Sequence, residues 1–370
     1  MRLKHRWSLG HNYLAGITAG DWMRLLRANH FAVSPAYWHR ALFISLTSVI
    51  NSYYRFVEDR NFRSEIKRVT LRHPPLFILG HWRSGTTLIH YLLAQDTQRF
   101  SFANTYQVVN PYTFLTTEAT MTRRFAKLVP PTRPMDNMVQ SFATPQEDEF
   151  APLLLTLYSL YLGVSFPRRE EFYTRYLTFH DVPQEEVDRW KRQFIWFCKK
   201  LAMRNSNQLL LKSPAHTARV RLLLEMFPDA RFVHVHRDPY RVFQSQRHFF
   251  DTTAWYTYLQ KPDLSQVDEG ILSRYQVMYD AYFDDLPRIP KEHICEVSFL
   301  ELERDPLGTV RDIYQRLSIP GFDQFEPALN RYLATLAGYQ KNQFAPLDDR
   351  TRALVADRWS RSFDAWGYAR

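Results

Sequence analysis

The chain has 370 residues, 45% of them hydrophobic and 15% aromatic, which is enough apolar surface for one sizeable core with appended helices. Its 48 Lys and Arg exceed its 38 Asp and Glu for a net charge of +10, and no low-complexity or repeated stretch interrupts it, which excludes a disordered chain and a repeat array. Cys198 and Cys295 stand far apart and form no CxxC, so neither a disulfide framework nor a zinc site is expected, and a reducing, cytoplasmic setting fits.

Residues 1–70 read as an N-terminal helical extension to a main domain over 71–370. The first 40 residues carry six Lys and Arg against Asp21 alone. Such an arm can meet anionic lipid or nucleic acid, but no nucleic-acid recognition motif follows, and nucleic acid is not expected as a partner. Asp21 is placed to cap a helix over Trp22–Arg27, and Ser34 with Pro35 forms an N-cap and first-turn pair opening a longer helix towards Glu58. Trp22, Leu25 and Leu26 lie opposite Arg24 and Arg27; this amphipathic face is expected to pack on the core, with peripheral contact with a membrane surface as the alternative. The apolar run Ala41–Ile50 is too short to span a bilayer, which takes about 20 residues, and no signal-peptide pattern is expected at the start.

His73-Pro74-Pro75 stops what precedes and admits a strand, Leu76–Leu79, whose uniformly apolar character suits a parallel sheet covered on both faces. The strand runs into Gly80-His-Trp-Arg-Ser-Gly-Thr-Thr87 and then a helix over Thr86–Leu93. Gly80 and Gly85 permit backbone paths that a Cβ obstructs, while Ser84, Thr86 and Thr87 put hydroxyls beside the free amides of the helix start. That is an anion cradle. It is nearly a Walker A loop, yet Thr86 stands where the lysine belongs, and the nearby cation is Arg83.

Residues 100–179 are aromatic, without strand alternation, and are expected to cover the substrate. Within them Thr144-Pro-Gln-Glu-Asp-Glu-Phe150 sets three carboxylates before an apolar helix, Ala151–Leu162. Thr144 and Glu147 have the spacing of a capping box, which by itself accounts for Glu147. Gln208–Pro214 is a second apolar strand carrying Lys212, Thr217–Met226 a helix, and Arg231–His236 a third strand. This βαβ unit delivers Arg237, and Ser245 eight residues later, to the carboxyl edge where open α/β sheets bind ligands. Trp255, Tyr256 and Tyr258 either cover the site or pack a core. His293–Phe299 reads as a further strand and Pro306–Leu317 as a helix. The expected fold is α/β, a three-layer α/β/α sandwich around a mostly parallel central sheet with helical additions at both ends.

A P-loop kinase or NTPase needs the missing lysine and a Walker B carboxylate, but the third strand ends in His236-Arg237. His236-Arg237-Asp238 is no kinase catalytic loop either, since Phe243 stands where its Asn belongs. A ligand with several anionic groups and no metal fits better. An NTPase lacking the Walker lysine stays the alternative enzyme, and an anion-holding membrane-surface protein the alternative outside enzymology.

Arg83-Ser-Gly-Thr-Thr87 after a strand, with Arg237-Asp-Pro239 and Ser245 later, resembles the P-loop-like sulfotransferases that use 3′-phosphoadenosine 5′-phosphosulfate (PAPS). Leu211-Lys-Ser-Pro214 and Phe299-Leu-Glu-Leu-Glu-Arg-Asp-Pro306 are similar to family segments, and a weaker match lies around Tyr339–Asn342. The resemblance implies that Arg83, Ser84, Gly85, Thr86 and Thr87 hold the 5′-phosphosulfate, that Arg237 and Ser245 hold the 3′-phosphate, and that Lys341 contributes from the C-terminal match. It implies transfer of SO3 to a hydroxylated acceptor with release of PAP and no metal. A cation beside the leaving oxygen stabilises the transition state, and Arg83 and Lys212 are the candidates. The glutamate that some members use after the first helix has no counterpart in Ala103-Asn-Thr-Tyr106. The base that takes the acceptor's proton is therefore left among Glu147, Asp148, Glu149 and His216. The aromatic content suits a lipid-like or small alcohol or phenol, with a glycan second.

Overall fold

The computed structural model of the protein describes residues 3–10, 12–339 and 341–370. Five parallel strands form its centre: β1 (Leu76–Leu79), β2 (Phe100–Phe102), β3 (Gln208–Lys212), β4 (Arg231–His236) and β5 (Ile294–Ser298), in the spatial order β2-β3-β1-β4-β5. The main helices are α1 (Ala19–Ala28), α2 (Trp38–Arg68), α3 (Thr86–Leu93), α4 (Phe114–Phe125), α5 (Phe150–Thr156), α6 (Gln184–Arg204), α7 (Pro239–Thr252), α8 (Val267–Asp285) and α9 (Pro306–Arg316).

Alternation along β1 explains the layering. Phe77 and Leu79 point into a core built with α6 and α8, whereas Leu76 and Ile78 point into a second core built with α3 and α9. Both faces are covered, as the uniformly apolar strand requires. The chain leaves β1 towards the second core through α3, and leaves the adjacent β4 towards the first through α7. A crevice therefore opens where the two loops part, at the carboxyl ends of β1 and β4.

Several local expectations change. β2 has three residues and pairs only with β3, too short for periodicity to reveal. Asp21 lies inside the first turn of α1 rather than capping it, and its buried carboxylate accepts bonds from Thr18 (2.6 Å) and Tyr112 (2.7 Å). Trp22 and Leu25 are 3% and 1% exposed, so that amphipathic face packs inward and is not free for a membrane. Pro35 opens a short 3₁₀ turn, and α2 then runs from Trp38 well past Glu58 to Arg68. The helix expected over Ala151–Leu162 stops at Thr156, where Leu157 takes a left-handed conformation, and a separate short helix follows at Tyr161–Ser165. The segment after Lys212 begins as a 3₁₀ turn, Pro214–Arg219, before turning α-helical at Val220–Met226. Trp255 and Tyr258 are buried with Tyr37, so they pack a small core. No helix among the described residues is long and apolar enough to cross a membrane.

Two buried cations pin α2 to the body. Arg40, 1% exposed, donates to the carbonyls of His5, Ser8, Trp255 and Tyr258. Lys200 on α6 pairs with Glu58, whose other oxygen accepts from the Thr116 amide at 2.9 Å. Burial pulls the Lys200 pKa down to about 8 against the attraction of Glu58. Removing one member of such a pair strands the other. Lys200→Met should therefore lower unfolding stability by about 3–5 kcal/mol, and Glu58→Met added to it should restore most of the loss in chemical denaturation. A double variant as unstable as Lys200→Met alone would show that the ion pair is not what couples α2 to α6.

Candidate active site

The loop after β1 is shaped by its two glycines. At Gly80 (φ +134°) a Cβ would stand 2.4 Å from the Val235 carbonyl, and at Gly85 (φ +108°) 2.2 Å from the Phe299 ring. The Gly80 amide donates to Thr217 at 2.7 Å. Arg83 itself has φ +74°, an uncommon conformation for a residue with a side chain, and its carbonyl is held by an Arg237 N–H at 3.1 Å. The Ser84 hydroxyl is fully buried and has no partner.

The two anion motifs meet in space. Arg83 donates from Nε to Ser245 Oγ (2.9 Å) and from a terminal nitrogen to Asp136 (3.0 Å). Arg133 reaches Thr87 Oγ1 (3.2 Å) and the other Asp136 oxygen (3.3 Å). Burial alone would raise the Asp136 pKa, but the Arg133 and Arg83 charges outweigh it and hold the carboxyl below its usual value. Arg237 lies over the Phe299 ring at 4.2 Å, and burial together with Arg83 lowers its proton affinity. Three crowded guanidiniums, an orphaned hydroxyl and a glycine cradle with no room for a Cβ suit a multiply charged anion. Tyr339 and Asn342 close this side by donating to the carbonyls of Asp136 (2.7 Å) and Met135 (2.9 Å). Lys341 is half exposed and turns to Glu303 at 2.6 Å, while Gln340 lies outside the described residues.

The expected capping box is absent. Thr144 donates back to the Ser141 carbonyl at 2.8 Å, and Glu147 precedes α5 with its carboxylate directed elsewhere. One Glu147 oxygen accepts from Lys212 at 3.1 Å and the other from Tyr161 at 2.5 Å; Tyr161 in turn accepts from Trp82 Nε1 at 2.7 Å. Lys212 is 1% exposed, and burial lowers its pKa although Glu147 partly offsets this. Burial and the Glu147 charge push the Tyr161 hydroxyl far above its usual pKa, so it stays a donor.

The other base candidates point away. Glu149 is 0% exposed, paired with Arg219 at 2.5 Å and bonded by Ser159 at 2.6 Å, so its carboxylate faces the interior and not the cavity. His216, also 0% exposed, holds Asp148 at 2.5 Å against the rings of Phe77 and Phe194. Glu149 and His216, expected as candidate bases, are instead interior partners and do not line the cavity. Arg133, Asp136, Trp82 and Tyr161 went unassigned in the sequence. Arg133 and Asp136 sit in Pro130-Pro-Thr-Arg-Pro-Met-Asp136, where proline-bounded charges are the one available signal; Tyr161 carries none.

A cavity of about 1180 Å³ opens beside this cluster. Trp82, Arg83, Thr86, Thr87, Arg133, Glu147 and Tyr161 line its floor. Its walls are mostly apolar and include Phe43, Ile50 and Tyr54 of α2, Met121 and Phe125 of α4, and Phe249 and Phe250 of α7.

Comparison with known proteins shows the family and the fold. Residues 74–324 match the model of the sulfotransferase family. The omega-hydroxy-beta-dihydromenaquinone-9 sulfotransferases Stf3 of Mycobacterium bovis and Mycobacterium tuberculosis are each 35% identical over 359 residues, covering 96% of this chain and 91% of theirs. Two solved structures share the fold. Sulfotransferase STF9 from Mycobacterium avium superposes with a TM-score of 0.71 at 19% identity, over 94% of this chain and 92% of that one. STF1 from Mycobacterium tuberculosis gives 0.64 at 15% identity, over 96% and 94%. By the family match and by its similarity to the Stf3 proteins, the chain belongs to the sulfotransferase family.

Proposed function

We propose that the enzyme transfers a sulfuryl group from PAPS to the hydroxyl of a long, largely apolar alcohol and releases PAP. The cavity carries the acceptor half of this reading: about 1180 Å³ of mostly apolar space ending at a carboxylate is larger than a typical small-ligand pocket of about 300–1,000 Å³. The Stf3 relatives act, by name, on an omega-hydroxylated menaquinone, and an acceptor of that general kind fits such a space.

PAPS supplies the sulfuryl group and a leaving phosphate. Ser84, Thr86 and Thr87 at the start of α3, with Arg83, hold its phosphosulfate end, while Arg237 and Ser245 hold the 3′-phosphate. Arg83 places positive charge where the leaving oxygen gathers negative charge. Glu147, facing the cavity, takes the proton of the acceptor hydroxyl. Lys212 and Tyr161 are positioning residues: each holds one Glu147 oxygen, and Lys212 balances its charge from the interior side.

Glu147→Gln should keep PAP affinity while kcat falls by about 10²–10⁴-fold, the usual range for a lost general base. An unimpaired Glu147→Gln would move the base elsewhere. Arg83→Ala should also lose transfer while remaining folded. In calorimetry, Arg237→Ala should weaken PAP binding by about tenfold or more, since a charge-assisted bond contributes about 1.5–3 kcal/mol. Equal affinity in that variant removes the 3′-phosphate assignment, and magnesium-dependent stabilisation by ATP in a thermal shift assay would favour the NTPase reading. Across primary alcohols, kcat/KM should rise with chain length; a preference for short phenols or sugars would sink the acceptor class.

A further inference from the structure

The helix that forms one wall of the cavity also carries the largest run of exposed apolar side chains. On α2, Trp38, Leu42, Leu46, Val49, Tyr53 and Phe56 are each between 61% and 64% exposed. At 3.6 residues per turn they fall within an arc of roughly 80° and extend for about 27 Å. The charged side chain between Trp38 and Tyr54 is Arg40, and it is buried. The same arc then turns basic, with Arg60, Arg63 and Lys67 exposed along the last turns. At the other end Trp7 is 71% exposed, packed against His39 at 5.0 Å with the Arg6 guanidinium 4.6 Å from its ring.

The cavity residues of α2, namely Phe43, Thr47, Ile50, Asn51 and Tyr54, occupy the neighbouring arc. Ile50 belongs to both surfaces: it is 54% exposed and lines the cavity. On α4, Arg124 and Phe125 also line the cavity, and the neighbouring Arg123 and Lys127 are exposed. An apolar strip bordered by cations and continuous with an apolar cavity has the layout of an interfacial helix.

We propose that α2 docks on the surface of an anionic lipid bilayer, its apolar strip in the acyl boundary and Arg60, Arg63 and Lys67 among the headgroups, so that a lipid alcohol enters the cavity past Ile50 without crossing water. Charge favours this occupant, because the exposed Arg60, Arg63 and Lys67 on the same arc as the apolar strip complement anionic headgroups. The inference deepens the lipid-alcohol reading and rests on it for the acceptor's route; docking stands on the surface alone.

Flotation of the full chain with vesicles of phosphatidylglycerol and phosphatidylcholine tests docking without any acceptor. Binding is expected, weaker on phosphatidylcholine alone. The variant Leu46→Glu/Val49→Glu/Tyr53→Glu, none of whose positions lines the cavity, should keep its melting temperature and PAP affinity but lose vesicle partitioning by more than about tenfold. With a long-chain alcohol embedded in vesicles its rate should fall similarly, while its rate with a short, water-soluble alcohol should match the parent's. Arg60→Glu/Arg63→Glu/Lys67→Glu should abolish the preference for phosphatidylglycerol. A parent protein that does not float, a triple variant that floats equally well, or sedimentation showing a dimer that the apolar-strip substitutions split, would overturn the assignment. Flotation without transfer to any alcohol would leave docking standing and reject the acceptor reading instead.

Discussion

Three consecutive carboxylates, Glu147, Asp148 and Glu149, meet three basic side chains at the end of β3 and in the turn that follows it: Lys212, His216 and Arg219. Charges taken out of water need partners, and none of the three bases is more than 1% exposed. The pairing therefore fixes how residues 144–150 cross the sheet edge, helped by the bond from the Asp148 amide to the Lys212 carbonyl at 3.2 Å. Because the bases are spaced along a tight turn, the three acids descend progressively into the interior. Only the first reaches the cavity, with 13% of its side chain exposed. One electrostatic ladder thus both closes the core and leaves a single carboxylate facing the space where an acceptor fits.

The anion half of the site was legible in sequence because it is local. A uniformly apolar strand, two glycines, hydroxyls at a helix start and an arginine are contiguous, and backbone sterics dictate what they build. The βαβ reading that brought Arg237 and Ser245 to the same edge was legible for a similar reason: connections in parallel sheets are strongly constrained. The base was not legible. Choosing among Glu147, Asp148, Glu149 and His216 depends on partners about 65–70 residues away, which spacing cannot reveal. The capping-box spacing at Thr144 was a false local signal, overridden by Lys212 and Tyr161. Arg133 and Asp136 were hidden in a segment with no periodicity, and the three-residue β2 was too short to show any.

The amphipathic face read on the first helix packs on the core, the first of the two outcomes its pattern allows. Trp22 and Leu25 were singled out because their opposite face is basic, and α1 buries them against the core. On α2 three arcs coexist, one buried, one lining the cavity and one exposed, and their overlap masks any simple two-faced pattern. Periodicity identifies helices with one apolar face; a helix that buries one arc and lines a cavity with another blurs it.

The two anchors of α2 have a mechanical consequence. Arg40 rivets the first turn to four carbonyls drawn from the N-terminal arm and the 255–258 turn, and Glu58, beyond the cavity-lining stretch, clamps the helix to α6. Between them the helix behaves as a beam supported at both ends, with the cavity's wall on its span. Both anchors lie outside the stretch that lines the cavity, so this wall is tied to the body of the protein on either side.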